Sequence, residues 1–507
     1  MTDRPIWLPT DASRAIAEAS SSLNSAAFGF GRRGLLAGAA GSGAMLAARV
    51  PVMAQTAPPA AGAPAQGGSA AGDATAVITV DRARAAPIPI AIPDLVGLDG
   101  GSEQLGRDIS SVIRNDLGGC GLFRPIDQAA YIQGGSGATL VAGGPSGAPA
   151  SDVPNFKNWQ VIGAQALVTG RVEEQGGGNI RVEFRLWDVL PQSQLQGTAY
   201  TTTKSNWRRI SHIIADVIYE RLLGEKGYFD SRIVYVAATG PRDRRTKRLA
   251  IMDQDSENNR FLTDGTWLVL TPRFHPTRDE IAFMSYANNR PRVYLFDLTS
   301  GHQSVLGDFA NMTLAPRFSP DGSSVIMSVS DGGGTDIVAV DLASRASRRL
   351  TSSGSIDVSP CYSPDGTQIA FNSDRGGDQQ LYVMDASGGN VRRISYGNGR
   401  SRYATPVWSP RGDLIAFTKL GGDTDNFAIG VMHPDGSGER LLSAAWDVEG
   451  PTFSPNGRVI MFWRDSPGSG RGGSSSRLVS VDITGFNERV ATTPTDASDP
   501  AWSPLAG

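Results

Sequence analysis

Short apolar runs alternate with turns rich in Gly, Pro and Asp throughout the second half of this 507-residue chain. A Pro-x-aromatic phrase that leads into a second proline and a turn occurs six times. The second prolines are Pro276, Pro320, Pro364, Pro410, Pro455 and Pro504, so the differences between successive numbers are 44, 44, 46, 45 and 49 residues. A period in the forties that contains only short strands is typical of propeller blades.

Each repeat is predicted to form four strands. The first ends at an aromatic residue such as Phe318, and Ser319–Gly322 then has the Pro and Gly positions of a type I turn. The second strand, as at Ile369–Phe371, is wholly apolar and should be covered on both faces. The third strand is Leu381–Asp385 in the same repeat, and the more polar Val391–Ile394 suits an outer edge. The aspartates of these turns and of the third-strand ends are interpreted as turn formers.

The two ends of the repeat array predict a closed ring. The first repeat lacks the proline phrase and begins at Ile233–Val236, whereas the last phrase begins at Asp499 and contains only a first strand. Together these two fragments complete one blade and leave no open edge between the first and last blades. The sequence therefore predicts a six-bladed all-β propeller over residues 231–507, closed by its C-terminal strand.

A different periodicity before the propeller predicts an α/β domain over residues 75–228. Apolar residues at helical spacing predict a helix with Ser102 as N-cap and Gly118-Gly119 as its end. The alternating Ile180–Leu186 is expected to pair with Ala166–Val172 across the turn at residues 175–178. A second helix is predicted from about Ser205 to Leu223, ended by Gly224. Residues 133–150 are expected to form a mobile loop, and residues 227–231 the hinge.

The N-terminus has the pattern of an export signal over residues 1–54. Arg32 and Arg33 precede a small-residue apolar stretch, residues 34–49, that is too short for a membrane span, and cleavage is expected near Ala54. The arginine pair partly matches a twin-arginine signal, and an ordinary Sec signal stands as the equal alternative. Residues 55–74, rich in Ala, Pro and Gly, are interpreted as a flexible linker.

Charge and cysteine content exclude some functions. The net charge of −3 does not favour binding to nucleic acid or to an anionic membrane surface. The two cysteines, Cys120 and Cys361, fall in different predicted domains, so a disulfide between them is not expected. Both are interpreted as small buried residues.

Motifs for catalysis are missing from the sequence. A peptidase attached to a propeller needs a Gly-x-Ser-x-Gly elbow and a partner histidine, and no such elbow occurs. The four histidines lack metal-ligand spacing, and His275 is interpreted as a turn variant at the serine position of its repeat. The acidic Asp423–Asn426 lacks a full cation-loop pattern and is interpreted as a solvated loop. No catalytic residue, cofactor or metal site is predicted.

Recognition through shape is the remaining possibility. The loops that enter the innermost strands form the mouth of the channel of a propeller. Here they mix apolar, aromatic and acidic residues, a composition suited to a protein partner. The candidate binding residues in these segments are Val269, Leu270, Thr271, Met312, Thr313, Asp357, Tyr403, Glu449 and Ser498.

Several phrases in both predicted domains resemble the TolB family, the periplasmic component of the Tol–Pal envelope system. They are Gly121–Pro125, Phe184–Asp188, His212–Asp216, Gly224–Phe229 and the terminal Pro500–Pro504. The phrases of the N-terminal domain are the specific ones, because many propellers share the repeat phrase. The resemblance covers roughly residues 75–507.

This resemblance implies a monomeric, non-enzymatic periplasmic adaptor. The family uses the propeller mouth to bind Pal, the peptidoglycan-associated lipoprotein of the outer membrane, and an extended N-terminal segment to bind TolA. It thereby maintains outer-membrane integrity and supports constriction at cell division. The TolA segment would be residues 75–86, with contacts from Thr75, Val77, Ile78, Val80 and Asp81. An alternating extended segment of this kind can add to a partner's sheet as an edge strand.

One departure and two alternatives accompany the resemblance. In the family the TolA segment lies close to the mature N-terminus, whereas here residues 55–74 separate it from the expected cleavage site. The alternatives are a propeller enzyme, which needs polar titratable residues converging in the channel, and a wall-carbohydrate-binding protein. The latter needs exposed aromatic surfaces, and Tyr403 is the one clear aromatic in the mouth segments.

Overall fold

The computed structural model describes residues 86–132, 153–241, 244–307, 309, 313–330, 333–397, 399–422, 426–466 and 475–505. The predicted signal, linker and mobile loop, the TolA segment up to residue 85, Met312 and residues 423–425 lie outside the described residues.

The N-terminal domain is a mixed sheet covered by helices. Its strands lie in the order β3-β1-β4-β5-β6, with β2 beside β4, and β1 runs parallel to both of its neighbours. The two long helices, α1 and α3, contact each other and the sheet. The elements are β1 Ile88–Ala91, β2 Val96–Gly97, α1 Ser102–Gly119, β3 Phe123–Pro125, α2 Phe156–Val161, β4 Ala166–Gln175, β5 Asn179–Asp188, β6 Ser193–Thr203 and α3 Trp207–Leu223.

Most local predictions for this domain are confirmed, and one is wrong. β4 and β5 pair as expected, with Val172 opposite Val182, and α3 ends at Gly224, whose φ of 74° is left-handed. Ser102 is not the N-cap, because it is the first residue of α1 and Gly101 occupies the cap position. Asp99 takes over the polar role, since its carboxylate accepts hydrogen bonds from the Gly101 N–H and the Ser102 hydroxyl.

The second half of the chain forms six four-stranded antiparallel sheets, as predicted. The C-terminal strand β30 pairs with β7, with Trp502 opposite Ile233, and so completes the split blade. Blade 1 is β30 Asp496–Trp502, β7 Arg232–Thr239, β8 Thr246–Asp253 and β9 Arg260–Phe261. Blade 2 is β10 Val269–Phe274, β11 Glu280–Ser285, β12 Arg292–Asp297 and β13 Gln303–Val305. Blade 3 is β14 Thr313–Phe318, β15 Ser324–Ser330, β16 Thr335–Asp341 and β17 Ser347–Arg349.

The remaining three blades repeat this arrangement. Blade 4 is β18 Asp357–Tyr362, β19 Gln368–Ser373, β20 Gln380–Asp385 and β21 Arg392–Arg393. Blade 5 is β22 Arg402–Trp408, β23 Ile415–Leu420, β24 Phe427–Met432 and β25 Arg440–Ala445. Blade 6 is β26 Asp447–Phe453, β27 Val459–Ser466, β28 Ser475–Asp482 and β29 Arg489–Val490. In every blade the second and third strands are largely buried, while the outermost strand is short and mostly exposed.

The turns after the innermost strands explain the repeated Ser-Pro-Asp-Gly sequence. The Ser319 hydroxyl donates to Asp321 and accepts the Ser324 N–H, while the same carboxylate accepts the Ser323 N–H. These hydrogen bonds lower the pKa of Asp321 to about 2. His275 replaces the serine in blade 2, and its Nδ1 accepts the N–H groups of Thr277 and Arg278. The interpretation of these residues as turn formers is therefore confirmed.

Both cysteines are free and buried, as predicted. Burial raises the pKa of the Cys120 thiol to about 12, which leaves it protonated and unreactive. Cys361 has a packing role between blades, because its Sγ accepts a hydrogen bond of 3.4 Å from the Trp408 N–H.

A single hydrophobic core runs from the N-terminal domain into blades 6 and 1. At its centre the ring of Tyr228 lies 5.7 Å from that of Trp502 and 6.2 Å from that of Tyr219. The connecting segment is held by Asp216, which accepts the N–H groups of Phe229 and Asp230 at 2.7 and 2.9 Å. Burial raises the pKa of this carboxyl to about 7. The two domains thus meet across a packed aromatic and hydrogen-bonded joint.

Polar contacts between the domains come from turns at one end of the propeller. Arg411, in the turn after β22, forms an ion pair of 2.9 Å with Glu225. Asn456, in the turn after β26, donates to the Lys226 carbonyl at 2.9 Å. Asn487, between β28 and β29, donates to the Gly119 carbonyl at 3.0 Å. The N-terminal domain therefore lies at the end of the propeller where the innermost strands finish, and these strands begin at the opposite end.

Candidate protein-binding site at the channel mouth

The six innermost strands β30, β10, β14, β18, β22 and β26 each contact the next and close a ring around the channel. Each strand contains one proline of the repeated phrase, called here the ring proline. The ring prolines are Pro272, Pro316, Pro360, Pro406, Pro451 and Pro500. The candidate binding residues were predicted to lie in loops. This is wrong for the described ones, which lie within the first residues of these strands.

A β-bulge interrupts every innermost strand at the same place. In blade 2, Leu270 and Arg273 are opposite Met284 and Ala282, so the inner strand has one residue more than its partner. The residue directly before each ring proline has a positive φ, and five of the six are not glycine. They are Thr271 at 48°, Ala315 at 48°, Ser359 at 56°, Thr405 at 47°, Gly450 at 66° and Asp499 at 51°. Because L-residues adopt this conformation at a cost, the ring stores backbone strain at its rim.

Burial separates the candidate residues into two groups. The residues three positions before the ring proline are buried between blades; among them are Val269, Thr313, Asp357 and Tyr403, and the last three have no exposed area. The residues one and two positions before the ring proline are half-exposed in all blades except at Ala404. Leu270, Thr271, Glu449 and Ser498 belong to this second group. We call the residues at these two positions of the six strands the mouth ring.

The buried candidates support the mouth from behind. Asp357 forms an ion pair of 2.8 Å with Arg375 and accepts a hydrogen bond from the Ser353 hydroxyl. The Tyr403 hydroxyl donates to Glu439 at 2.9 Å, and the ammonium of Lys419 lies 5.2 Å from the centre of its ring. Both side chains are buried and hold intramolecular partners, although the Asp357 Oδ1 has none among the described residues, so burial favours a positioning role over direct contact.

The chosen candidates leave out other members of the mouth ring. Three of them, Leu314, Val358 and Asp499, lie in the predicted mouth segments, whereas sequence reasoning missed Ala315, Ser359, Thr405 and Gly450. The available signal was their place directly before the ring proline. This position could be interpreted only with knowledge of the bulge. In an ordinary strand successive side chains alternate between the two faces, whereas the bulge leaves two successive residues half-exposed.

The mouth ring is acidic where blades 6 and 1 meet. Glu449 and Asp499 occupy neighbouring innermost strands, and Asp447 and Asp465 lie close by. Burial and the three nearby carboxylates raise the pKa of Glu449 well above its ordinary value. Leu270, Leu314 and Val358 make the ring apolar across blades 2 to 4. The mouth thus offers an apolar arc and an acidic arc to a partner.

One group of potential metal ligands occurs among the described residues, at the joint between the domains. Atoms of Asp116, His212 and Asp255 lie within 4.8 Å of one another. His212 Nδ1 is 2.7 Å from Asp116, and Arg208 forms an ion pair of 2.5 Å with Asp255. The guanidinium already supplies positive charge to this acidic group, so the cluster is explained as an interdomain ion-pair network. Sequence spacing could not reveal it, because its members come from two domains.

No helix in the described part of the chain has the length and apolar character needed to cross a membrane.

The fold defines a class: a two-domain propeller protein whose N-terminal domain covers one end of the propeller and whose innermost strands begin at the other. Family models described as the TolB amino-terminal domain and the TolB beta propeller domain match residues 76–195 and 219–506. The chain therefore belongs to the TolB family.

Individual relatives agree with this assignment. The chain is 55% identical over 493 residues to the Tol-Pal system protein TolB of Gluconobacter oxydans (strain 621H), covering 97% of this chain and 98% of that protein. It is 52% identical to the Tol-Pal system protein TolB of Paramagnetospirillum magneticum (strain ATCC 700264 / AMB-1), with coverage of 84% and 92%. The crystal structure of TolB from Acinetobacter baumannii matches with a TM-score of 0.69 at 26% identity, covering 82% of this chain and 97% of that one.

These comparisons confirm the family resemblance and the predicted architecture. They place the protein in the Tol–Pal system and agree with the prediction that it is not an enzyme.

Proposed function

We propose that this protein is a periplasmic adaptor that binds the lipoprotein Pal through the mouth ring and TolA through residues 75–86. It links the two partners across the envelope, maintains outer-membrane integrity and supports constriction at cell division. It acts as a monomer that associates with the outer membrane through Pal.

The observation that carries the proposal is the difference between the ends of the channel. The N-terminal domain contacts the turns at one end through Glu225, Lys226 and Gly119. At the other end the mouth ring presents two half-exposed residues from nearly every blade. A partner at this end meets side chains from six different strands, so that the ring can recognise a shaped protein surface.

The composition of the mouth ring favours a protein ligand. Leu270, Leu314 and Val358 supply an apolar arc that a partner's side chains can cover, while Glu449 and Asp499 can select a complementary charge. Apolar contacts inside a polar rim are the usual arrangement of protein interfaces. The carbohydrate alternative is weakened, because the ring of Tyr403 is fully buried and cannot stack on a sugar.

The TolA proposal rests on the sequence before β1. Val77, Ile78 and Val80 precede Ile88–Ala91, which is the central parallel strand between β3 and β4. A segment that leads directly into this domain can bind a partner by adding a strand to its sheet. Thr75 and Asp81 lie on either side of these three apolar residues, so they suit the ends of such a strand.

Binding of purified Pal ectodomain to the mature chain by isothermal titration calorimetry tests the Pal proposal. Leu270→Asp, in the apolar arc, should weaken binding at least about tenfold, since it places a charge in a contact that excludes water. Leu441→Asp is the matched control, because Leu441 is 50% exposed on the outer strand of blade 5. Equal affinities of the two variants for Pal would contradict the assignment of Pal binding to the mouth ring.

Deletion of residues 75–86 tests the TolA proposal separately. The deleted protein should lose binding to the C-terminal domain of TolA and keep its affinity for Pal. Retained TolA binding would show that this segment is not the contact.

A further inference from the structure

Two arginines lie on the innermost strands directly beyond the mouth ring. Arg273 on β10 and Arg317 on β14 each follow their ring proline by one residue. The equivalent residues of the other blades are Cys361, Val407, Thr452 and Ala501, all uncharged. Neighbouring blades 2 and 3 therefore place two guanidinium groups at one level of the ring, where the rest of the ring carries none.

The strand register shows where these side chains begin. Arg273 lies opposite Ala282, which belongs to the core between blades 2 and 3. Arg317 lies opposite Ile326, which belongs to the core between blades 3 and 4. In other blades this position reaches the next innermost strand, since the Thr452 hydroxyl accepts the Trp502 N–H at 3.2 Å.

Both arginines are half-exposed although they lie deep in the ring. The cores on either side are closed by apolar residues, so the solvent that reaches them is that of the channel. Burial, followed by the charge of Arg317, lowers the pKa of Arg273 to about 9, and nearby Asp499 opposes this effect. Burial likewise lowers the pKa of Arg317, with Cys361 as its facing titratable group. The two arginines occupy equivalent positions on β10 and β14, neighbouring strands that contact each other, so their like charges repel.

Among the described residues neither arginine has a carboxylate within ion-pair distance. Arg273 donates one hydrogen bond of 2.6 Å, to the carbonyl of its own neighbour Pro272. Arg317 makes no side-chain hydrogen bond within the described part of the chain. A guanidinium carries five N–H donors in a planar fork suited to carboxylate and phosphate oxygens. Most donors of the pair are therefore available to a ligand.

We propose that Arg273 and Arg317 together form an oxyanion-binding site inside the channel. The ligand is an anion with at least two oxygens, which accepts N–H bonds from both guanidiniums and relieves their repulsion. The same chemistry is offered by a free inorganic anion and by a carboxylate on a polypeptide that enters the channel. The site lies beyond the mouth ring and does not depend on the identity of the partner bound there.

The fold itself does not require charge at this position, because Val407 fills the equivalent place in blade 5. Arg273→Val and Arg317→Val therefore copy a residue that the repeat already accepts. If the arginines served packing alone, the double variant would be less stable than the natural protein. We expect its melting temperature without added anion to be equal or higher, since two unpaired charges are removed.

Thermal unfolding of the mature chain with inorganic phosphate, at constant ionic strength, is the first arm of the test. Phosphate at about ten times its Kd should raise the melting temperature of the natural protein by about 2 °C. The double variant should show no shift, whereas Arg440→Val should behave like the natural protein. Arg440 is an exposed arginine on the outer strand of blade 5 and serves as the matched control.

The second arm replaces phosphate with a hexaglutamate peptide and measures binding by calorimetry. Loss of phosphate binding in the double variant supports a site for free anions. Peptide binding without phosphate binding, lost in the double variant, supports a site for polypeptide carboxylates. Binding that persists in the double variant, or no binding of either probe to the natural protein, overturns the proposal.

Discussion

The two ends of the propeller satisfy their polar groups in opposite ways. At the covered end, buried charges have partners: Asp116 contacts both His212 and Gln254, and Arg208 contacts Asp255. At the mouth, Glu449 is half-exposed among like charges and the rim residues hold positive φ angles. The comparison indicates that the covered end contributes stability, whereas the mouth keeps unsatisfied groups and strain that a ligand can relieve.

The strongest test of this difference removes the aromatic joint. Trp502→Ala should lower the free energy of unfolding by about 3 to 5 kcal/mol, because it empties a site packed against Tyr228 and breaks the 2.8 Å bond from its indole N–H to Ser231. Urea unfolding followed by tryptophan fluorescence and circular dichroism measures the loss. Phe486→Ala is the control, since Phe486 is 63% exposed, and should change little. A loss below about 1 kcal/mol for Trp502→Ala would contradict a stabilising joint.

The next largest effect concerns the Asp116–His212 ion pair, between α1 and α3 of the N-terminal domain, and its pH dependence. Burial opposes protonation of His212, but the hydrogen bond and charge of Asp116 outweigh it and raise the pKa of the imidazole. Because the pKa of His212 is raised in the folded state, the stabilisation from its pair with Asp116 is complete below about pH 6.5. This stabilisation is lost as pH rises through the pKa of His212 in the folded protein. His212→Asn should therefore cost about 2 to 3 kcal/mol at pH 6 and less at pH 9. Unfolding free energies at both pH values provide the check, and a cost that grows with pH would be contrary to this account.

A smaller effect is expected at the strained rim. Gly450 is the one glycine among the six residues before the ring prolines, and a Cβ there would lie 3.3 Å from Trp463 Nε1. Gly450→Ala should lower the free energy of unfolding by about 1 to 2 kcal/mol, since alanine at a φ of 66° is strained. The comparison variant is Gly389→Ala, whose added Cβ meets nothing closer than 4.0 Å at a φ outside the left-handed region. Equal stabilities for the two variants would argue against stored strain.

The smallest effect is a gain in stability. Burial and the three neighbouring carboxylates raise the pKa of Glu449, so ionising it costs stability as pH rises through that value. Glu449→Gln should match the natural protein near pH 4.5 and be more stable by about 1 kcal/mol at pH 9. Thermal unfolding across this pH range measures the difference. A destabilised variant at pH 9 would mean that the acidic arc is already compensated within the fold.

Local chemistry made much of the fold predictable. The turn at Ser319–Gly322 and the pairing of β4 with β5 depend on residues close in sequence, and the split blade followed from two incomplete repeats. The mouth was only partly predictable, because the bulge changes which residues are exposed. The candidate Tyr403 is buried, whereas Asp499, which was not chosen as a candidate, is half-exposed. The Asp116–His212–Asp255 cluster and the two channel arginines needed the packing of distant strands to become visible.

The split blade also determines the order in which the ring can assemble. β30 is the last strand of the chain, yet it supplies the innermost strand of the first blade, against β7. Until Asp496–Trp502 has been synthesised, β7 has no inner neighbour and the first blade presents an unpaired edge. The ring therefore closes in one late step, after the last strand is available, and the nearly complete chain is the species most open to aggregation and to proteases.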